Sequence, residues 1–236
     1  MKVSVIIPMY NESRIIADTA KTLSRAMQEA FDDYEILFSS DGSTDGCDEI
    51  VRSLNLPFVR VTGYEKNRGK GCAVRTAMLE AQGEILIFTD ADLAYGTDVI
   101  QEAVTVLQDN PDVGLLIGSR NLGKNGYGNY GFLRRLMSRT YIRVLCLFGG
   151  FRLSDSQCGF KAFRRDAARS IFSLAEVDGF AFDFEAILLA KEQGIEIAEM
   201  SVRVLCHGDS KIHIFRDSFK MLAELRRIRK RIKKKK

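Results

Sequence analysis

Short β-branched runs alternate with helical stretches over the first half of the chain, and that alternation constrains the fold more than any other feature. Residues 3–7 form an apolar run of the kind found in strands covered on both faces. Residues 15–31 place Ile16, Ala20, Leu23 and Met27 at helical spacing. The period then keeps switching. A strand at 34–38 ends in the turn-rich Ser39-Ser40-Asp41-Gly42-Ser43, and a helix runs through Ile50 and Leu54. A strand at 58–62 precedes a helix at 71–81 with Gly83 as its C-terminal cap; strand 84–89, helix 99–107 and strand 113–118 follow. This predicts an α/β fold with an open, mainly parallel sheet flanked by helices, and ligands in such sheets bind beyond the strands' carboxyl ends.

After Arg120 the pattern changes. A Gly- and Asn-rich loop (121–131) leads into a basic amphipathic helix, 132–148, bearing Arg134, Arg135, Arg139 and Arg143. A strand at 158–163, a helix at 183–192 closed by Gly194, and a final strand at 195–205 come next. No element is assigned between Phe163 and Asp183. A last helix from Ile214 runs into a lysine tail, so the chain should end in amphipathic and basic helices.

The formal charge of +4 conceals an asymmetry. Lys220, Arg226, Arg227, Arg229, Lys230, Arg231 and Lys233 through Lys236 face a single acid, Glu224, so the rest of the chain is mildly acidic. A basic end on such a body suits a surface of phosphates, either lipid or nucleic acid. The 5 cysteines are scattered, with no Cys-x-x-Cys, which argues against a zinc site or a disulfide framework and fits reduced thiols facing the cytosol. The start lacks the apolar core of a signal peptide, and the most apolar later stretch, 144–151, is too short to span a bilayer, so no transmembrane helix is expected.

Four polar clusters fall at expected strand ends: 8–12, 39–45, 90–92 and 119–120. In a parallel sheet they converge on one rim. Asp90 and Asp92, one residue apart after a strand, can both face a cation, and oxygen ligands of this kind suit Mg2+ or Mn2+ bridging a diphosphate. The competing reading is an acidic turn that caps the helix beginning near Asp98. Asn67-Arg68-Gly69-Lys70-Gly71 opens a helix whose N-terminus, with Lys70, can hold an anion. Neither the dinucleotide-binding glycine pattern nor the P-loop is present. His207 and His213 are the only histidines, which disfavours zinc and serine hydrolases. The Arg-rich helix carries Phe132, Leu136, Met137 and Tyr141 among its cations and can either lie in a membrane interface or pack inward.

Together, Val5-Ile6-Ile7-Pro8-Met9-Tyr10-Asn11-Glu12, Asp41-Gly42-Ser43-Thr44-Asp45-Gly46 and Thr89-Asp90-Ala91-Asp92 resemble glycosyltransferase family 2, of the GT-A fold. Asn67 to Gly71 and Asp155-Ser156-Gln157-Cys158-Gly159-Phe160-Lys161 are similar to its polyprenyl-phosphate group, nearest the dolichyl-phosphate β-glucosyltransferase branch and next the mannose synthases. Phe182 to Glu185 and Ser210-Lys211 extend the likeness almost to the C-terminus.

The resemblance implies roles position by position. Pro8, Tyr10, Glu12 and Asp41 would hold the donor's nucleoside, with Lys70 also on the donor. Asp90 and Asp92 would bind the metal and diphosphate, Asp92 the more directly. Arg120, Arg134, Arg135 and Lys211 would receive the lipid phosphate; Asp155 and Gln157 would lie near the sugar. Asp92, Asp155 and Arg134 are the catalytic candidates. Residues 1–120 would form the nucleotide-sugar part and 121–212 the acceptor part of one catalytic domain, with 213–236 a basic helix and tail. Two departures stand out: Ala94 where mannose synthases have Gln, and His207-Gly208-Asp209 where that branch has a basic residue.

The activity so implied is inverting, metal-dependent transfer of a hexose from a nucleotide-sugar to a polyprenyl phosphate, with UDP-glucose favoured and GDP-mannose next. The acceptor is already anionic at pH 7 and needs no general base, which agrees with the missing catalytic histidine. The enzyme would sit peripherally on the cytosolic face of a membrane through its basic tail and amphipathic helix, with or without a separate membrane-spanning partner. Removing the chain beyond Arg226 should then weaken liposome binding and spare the donor. A soluble saccharide or protein acceptor is the alternative. A nucleic-acid-binding module is remote, because the cations sit at one end without an RNA-binding aromatic signature.

Overall fold

In the computed structural model, which describes residues 1–123, 142–143, 146–147, 149–205 and 225–232, seven strands form one sheet. They are β1 (Val3–Met9), β2 (Tyr34–Asp41), β3 (Val59–Tyr64), β4 (Ile85–Phe88), β5 (Val113–Ser119), β6 (Lys161–Arg164) and β7 (Glu196–Ser201). Their order is β3-β2-β1-β4-β6-β5-β7. β6 is antiparallel to both its neighbours, and the other described pairs are parallel. The expected open, mainly parallel α/β sheet is therefore present.

Helices cover both faces, which explains why β1, β2 and β4 are buried along their whole length. On one face Val3, Val5 and Ile7 pack with Ile16, Ala20 and Leu23 of α1 (Ile16–Ala30), Val51 of α2 (Cys47–Ser53) and Ile100 of α4 (Asp98–Asp109). On the other, Ile6, Leu37 and Leu86 pack with Val74 and Met78 of α3 (Lys70–Glu80), Ile171 of α5 (Arg165–Leu174) and Ile187 of α6 (Phe182–Glu192). Leu225, Ile228 and Ile232, on a helical segment at 225–232, join this second core.

Four expectations need correction. Ser39, Ser40 and Asp41 are not a turn but the end of β2, held by pairing with β3 through Asp41 and Tyr64. Gly83 does not cap α3, whose cap is Ala81 in extended conformation. It allows a close approach instead, since a Cβ there would lie 2.6 Å from the Ser4 backbone nitrogen. The strand expected at 158–163 begins only at Lys161 and runs to Arg164, because a turn at 156–157 and a bend at Gly159 precede it. The unassigned stretch after Phe163 holds α5, whose Ala167, Ala168, Ile171 and Phe172 form a buried stripe.

Gly194 does close α6, adopting φ 69° just past its end. Cys47, Cys72, Cys146 and Cys158 are free thiols. Among the described residues, no helix is long and apolar enough to cross a membrane.

Candidate active site

The antiparallel setting of β6 assembles the site. Lys161, its first residue, pairs with Phe88 at the end of β4 and Ile117 near the end of β5. The 155–160 turn is thereby delivered to the carboxyl rim, beside Asp90 and Arg120. A Cβ on Gly159 would crowd Asp90 Oδ2, so the glycine lets this turn lie against the carboxylate without displacing it.

The first two rim loops form one unit. Pro8 is buried in β1 opposite Ser39, and Tyr10 just beyond it is exposed. Asn11 Oδ1 accepts the Thr44 N–H at 2.8 Å, and the Ser13 N–H donates to Asp45 at 2.8 Å. Glu12 is half-buried between them. Asp41 takes the Tyr64 hydroxyl at 2.7 Å, Asn67 Nδ2 at 3.0 Å, the Arg68 N–H at 2.8 Å and the Gly69 N–H at 2.9 Å. These donors from a single loop fill its oxygens, so a nucleoside contact by Asp41 would compete with the 64–69 loop.

Thr19 Oγ1 in α1 donates to Ala91 O at 2.6 Å, and the Leu93 N–H donates to Asp90 O at 3.0 Å, holding the 90–94 turn in place. The N-cap position of α4 is Thr97, whose side chain makes no capping hydrogen bond, and neither aspartate occupies it, which removes the capping reading. Lys70 Nζ, from the first position of α3, donates to Asp90 Oδ1. Burial opposes the Lys70 charge, but Asp90 and then Asp183 outweigh it and raise its pKa. Desolvation first, then the Asp90 charge, raise the pKa of Asp92; the residue is exposed, so water screening limits the effect.

Two carboxylates that repel each other fit a divalent cation, with substrate oxygens completing its shell. Thr89 Oγ1 and Ser156 Oγ, buried beside Asp90 and Asp155, have no protein hydrogen-bond partner among the described residues, as expected of a site completed by a ligand. Among those residues no group of three His, Cys, Asp or Glu side chains is placed to hold a metal alone. Ala94 is half-buried and its backbone N–H donates to Asp92 Oδ1 at 3.1 Å.

Arg120 and Asp155 are bound to each other. Nε donates to Oδ2 at 2.6 Å and Nη2 to Oδ1 at 3.0 Å, a bidentate pair whose carboxylate is fully buried. Asp155 also accepts the N–H of Gln157 at 3.3 Å, and Gln157 is half-buried. Glu199 of β7 receives the Ser154 N–H at 2.9 Å and the Asp155 N–H at 3.1 Å, fixing the turn from below. Burial first and the Asp155 charge next push the Cys158 thiol up to about 11, so it is no nucleophile at pH 7.

Arg134, Arg135 and Lys211 lie outside the described residues, as do most of the 132–148 helix, His207 and His213. Glu199, Lys161 and Asp183 were missed as site residues. Lys161 carried a signal, being a lone cation in the apolar run Phe160 to Phe163. Glu199 carried none, because its role depends on β7 lying next to β5.

The mostly parallel sheet flanked by helices is the GT-A fold, and solved glycosyltransferase structures share it. The glucosyl-3-phosphoglycerate synthase of Mycobacterium tuberculosis, in complex with Mn2+ and UDP-glucose, superposes with a TM-score of 0.70 over 95% of this chain and 78% of that one, at 20% identity. The model of glycosyl transferase family 2 matches residues 4–172, and the chain belongs to that family. It is 32% identical over 220 residues to a dolichyl-phosphate beta-glucosyltransferase of Trichomonas vaginalis, and the match covers 89% of this chain. It is 32% identical over 243 residues to that of Dictyostelium discoideum, covering 96% of this chain. The chain spans 65% of the length of the first relative and 73% of the second.

Proposed function

We propose that the chain transfers a hexose from a nucleotide-sugar, UDP-glucose in preference to GDP-mannose, to a polyprenyl phosphate of the dolichyl type, with inversion at the anomeric carbon. The observation that carries this reading is the exposed Asp92 beside Lys70-paired Asp90, on the same rim as the Arg120–Asp155 pair. The names of the relatives support the acceptor and the sugar, and the neighbour's bound UDP-glucose supports the nucleotide.

Asp90 and Asp92 would hold Mg2+ or Mn2+, with Asp92 the more direct ligand, and the ion would offset negative charge on the departing diphosphate. Lys70 stands beside them to bind the same diphosphate. Pro8, Tyr10, Glu12 and Asp41 form the nucleoside end, where the exposed Tyr10 offers a ring face to the base. Gln157 lies toward the sugar. Asp155 acts through Arg120, which it orients toward the acceptor phosphate, and the family resemblance adds Arg134, Arg135 and Lys211 there. These cations lessen repulsion between two anionic substrates and align the attacking oxygen. A phosphate ionised at pH 7 attacks without a base.

Residues 1–120 would serve the donor, 121–212 the acceptor, and 213–236 would draw the enzyme to an anionic membrane surface on the cytosolic side, with or without a membrane-spanning partner. A thermal-shift panel of UDP-glucose, UDP-galactose, UDP-N-acetylglucosamine and GDP-mannose with Mn2+ tests the donor. Transfer assays then set polyprenyl phosphate against soluble sugars. UDP-glucose should stabilise most and only the lipid phosphate should be glycosylated; glucosylation of soluble sugars alone would overturn the acceptor assignment.

A further inference from the structure

We propose that Asp183, paired with Lys161 where the start of α6 abuts the start of α3, is a positioning residue that fixes the Lys70 ammonium for the donor diphosphate. This rests on reading the rim as a nucleotide-sugar site. Lys161 is fully buried, and its ammonium donates to Asp183 Oδ1 at 2.7 Å and Cys158 O at 2.8 Å. A buried ion pair seldom stabilises a fold more than apolar side chains of the same shape would, so stability alone does not account for it.

Its place does. Lys70 opens α3 and Asp183 is the second residue of α6, and the two helix starts abut: a Cβ on Gly71 would fall 2.6 Å from the Phe182 Cβ. Both cations stand near the Phe88 ring, Lys70 Nζ 5.9 Å and Lys161 Nζ 5.5 Å from its centre. After Asp90, Asp183 is the carboxylate that acts most strongly on Lys70. An alternating row, Asp92–Asp90–Lys70–Asp183–Lys161, thus runs inward from the rim. Asp183 is the charge that allows two ammonium groups near one ring. Without it Lys70 is repelled by Lys161 and answers to Asp90 alone, which draws it onto a metal ligand and away from phosphate.

The test is calorimetric titration of the full chain with UDP and UMP in the presence of Mn2+, with GDP and GMP in parallel. Wild type should bind the diphosphate more tightly than the monophosphate. Asp183→Asn should lose about tenfold in diphosphate affinity, as expected for a misplaced charged hydrogen bond, and leave monophosphate affinity unchanged. Lys70→Met should show the same loss, and adding Asp183→Asn to it should cost nothing further. Equal losses for UDP and UMP, or additive losses in the double variant, would overturn the proposal. Should Asp183→Asn not fold, Asp183→Glu keeps the charge and displaces it; an unchanged UDP-to-UMP ratio there would overturn it equally. A wild-type chain that binds none of the four nucleotides sinks the donor reading itself, and this inference with it.

Discussion

Asp90 and Asp92 are chemically alike and differently surrounded, so their environments should separate on substitution. Asp92 is exposed and accepts the Ala94 N–H of its own loop, whereas Asp90 is held by the Lys70 ammonium. Asp92→Ala should therefore leave the fold intact and reduce transfer by about a hundredfold or more, the scale of losing one charge-stabilising group. Near-normal turnover with Mg2+ or Mn2+ would sink the metal assignment. Gly159→Ala is a sharper geometric test, since its Cβ would meet Asp90 Oδ2 at 2.2 Å. Turnover should fall at least about tenfold as Asp90 is displaced, because small misplacements of reacting geometry are costly. Unchanged kinetics in Gly159→Ala would show that the turn gives way freely.

At the scale of elements, α3 and the loop that precedes it are fastened to the loop before α6 by one carboxylate. Asp178 accepts Arg75 Nη2 at 2.6 Å and Arg68 Nη2 at 3.0 Å. Burial pushes the Asp178 carboxyl up, but Arg75 and then Arg68 outweigh it and hold it below its ordinary value. A depressed folded-state pKa adds stability above the unfolded value and loses it as pH falls through the folded one. Arg75→Met should thus lower stability at pH 7 by on the order of 1 kcal/mol, after allowing for the exposure of Asp178. The gap between variant and wild type should close below about pH 4. Urea melts at pH 7 and pH 3 measure both, and a gap that persists in acid would contradict the pairing. This clamp was not legible beforehand, since Arg68 and Asp178 are distant in sequence. The helix α5 was legible in principle, through its stripe of Ala167, Ala168, Ile171 and Phe172, but it carries no motif to draw the eye.

For the whole molecule, the basic C-terminal region divides into two parts. Ile228 and Ile232 are buried in the second core, and Arg231 reaches inward to the buried Glu185 and, at 3.0 Å, to Glu176. Glu185 in turn receives the N–H groups of Glu176 and Val177, at 3.1 and 2.8 Å. Cutting after Arg226 would therefore unpair a buried carboxylate and open the core as well as remove cations, which adds a loss of stability to the expected loss of liposome binding. Removing Lys233 to Lys236 alone should weaken binding to anionic liposomes by roughly 1 kcal/mol per lysine and leave the melting temperature unchanged. Cutting after Arg226 should also lower the melting temperature by several degrees, as loss of a buried pair and two apolar anchors requires. Equal melting temperatures for the two truncations would argue against the docked helix.

Periodicity and motif spacing alone determined the α/β class, the strands that lead to the polar clusters holding Asp41, Asp90 and Arg120, and the rim on which those clusters meet. These are local properties: a strand buried on both faces reads as an apolar run, and the polar residues after it mark its carboxyl end. Tertiary structure decided the rest. It set β6 antiparallel between β4 and β5, and so brought Asp155 to Arg120, Gly159 to Asp90 and Lys161 to Asp183. Strand order is a long-range choice that no window of sequence encodes, because it depends on which edges and faces remain to be covered once the first strands have paired. The Asp90-Ala91-Asp92 triplet placed two carboxylates at a strand end, and the strand set beside it supplied their surroundings.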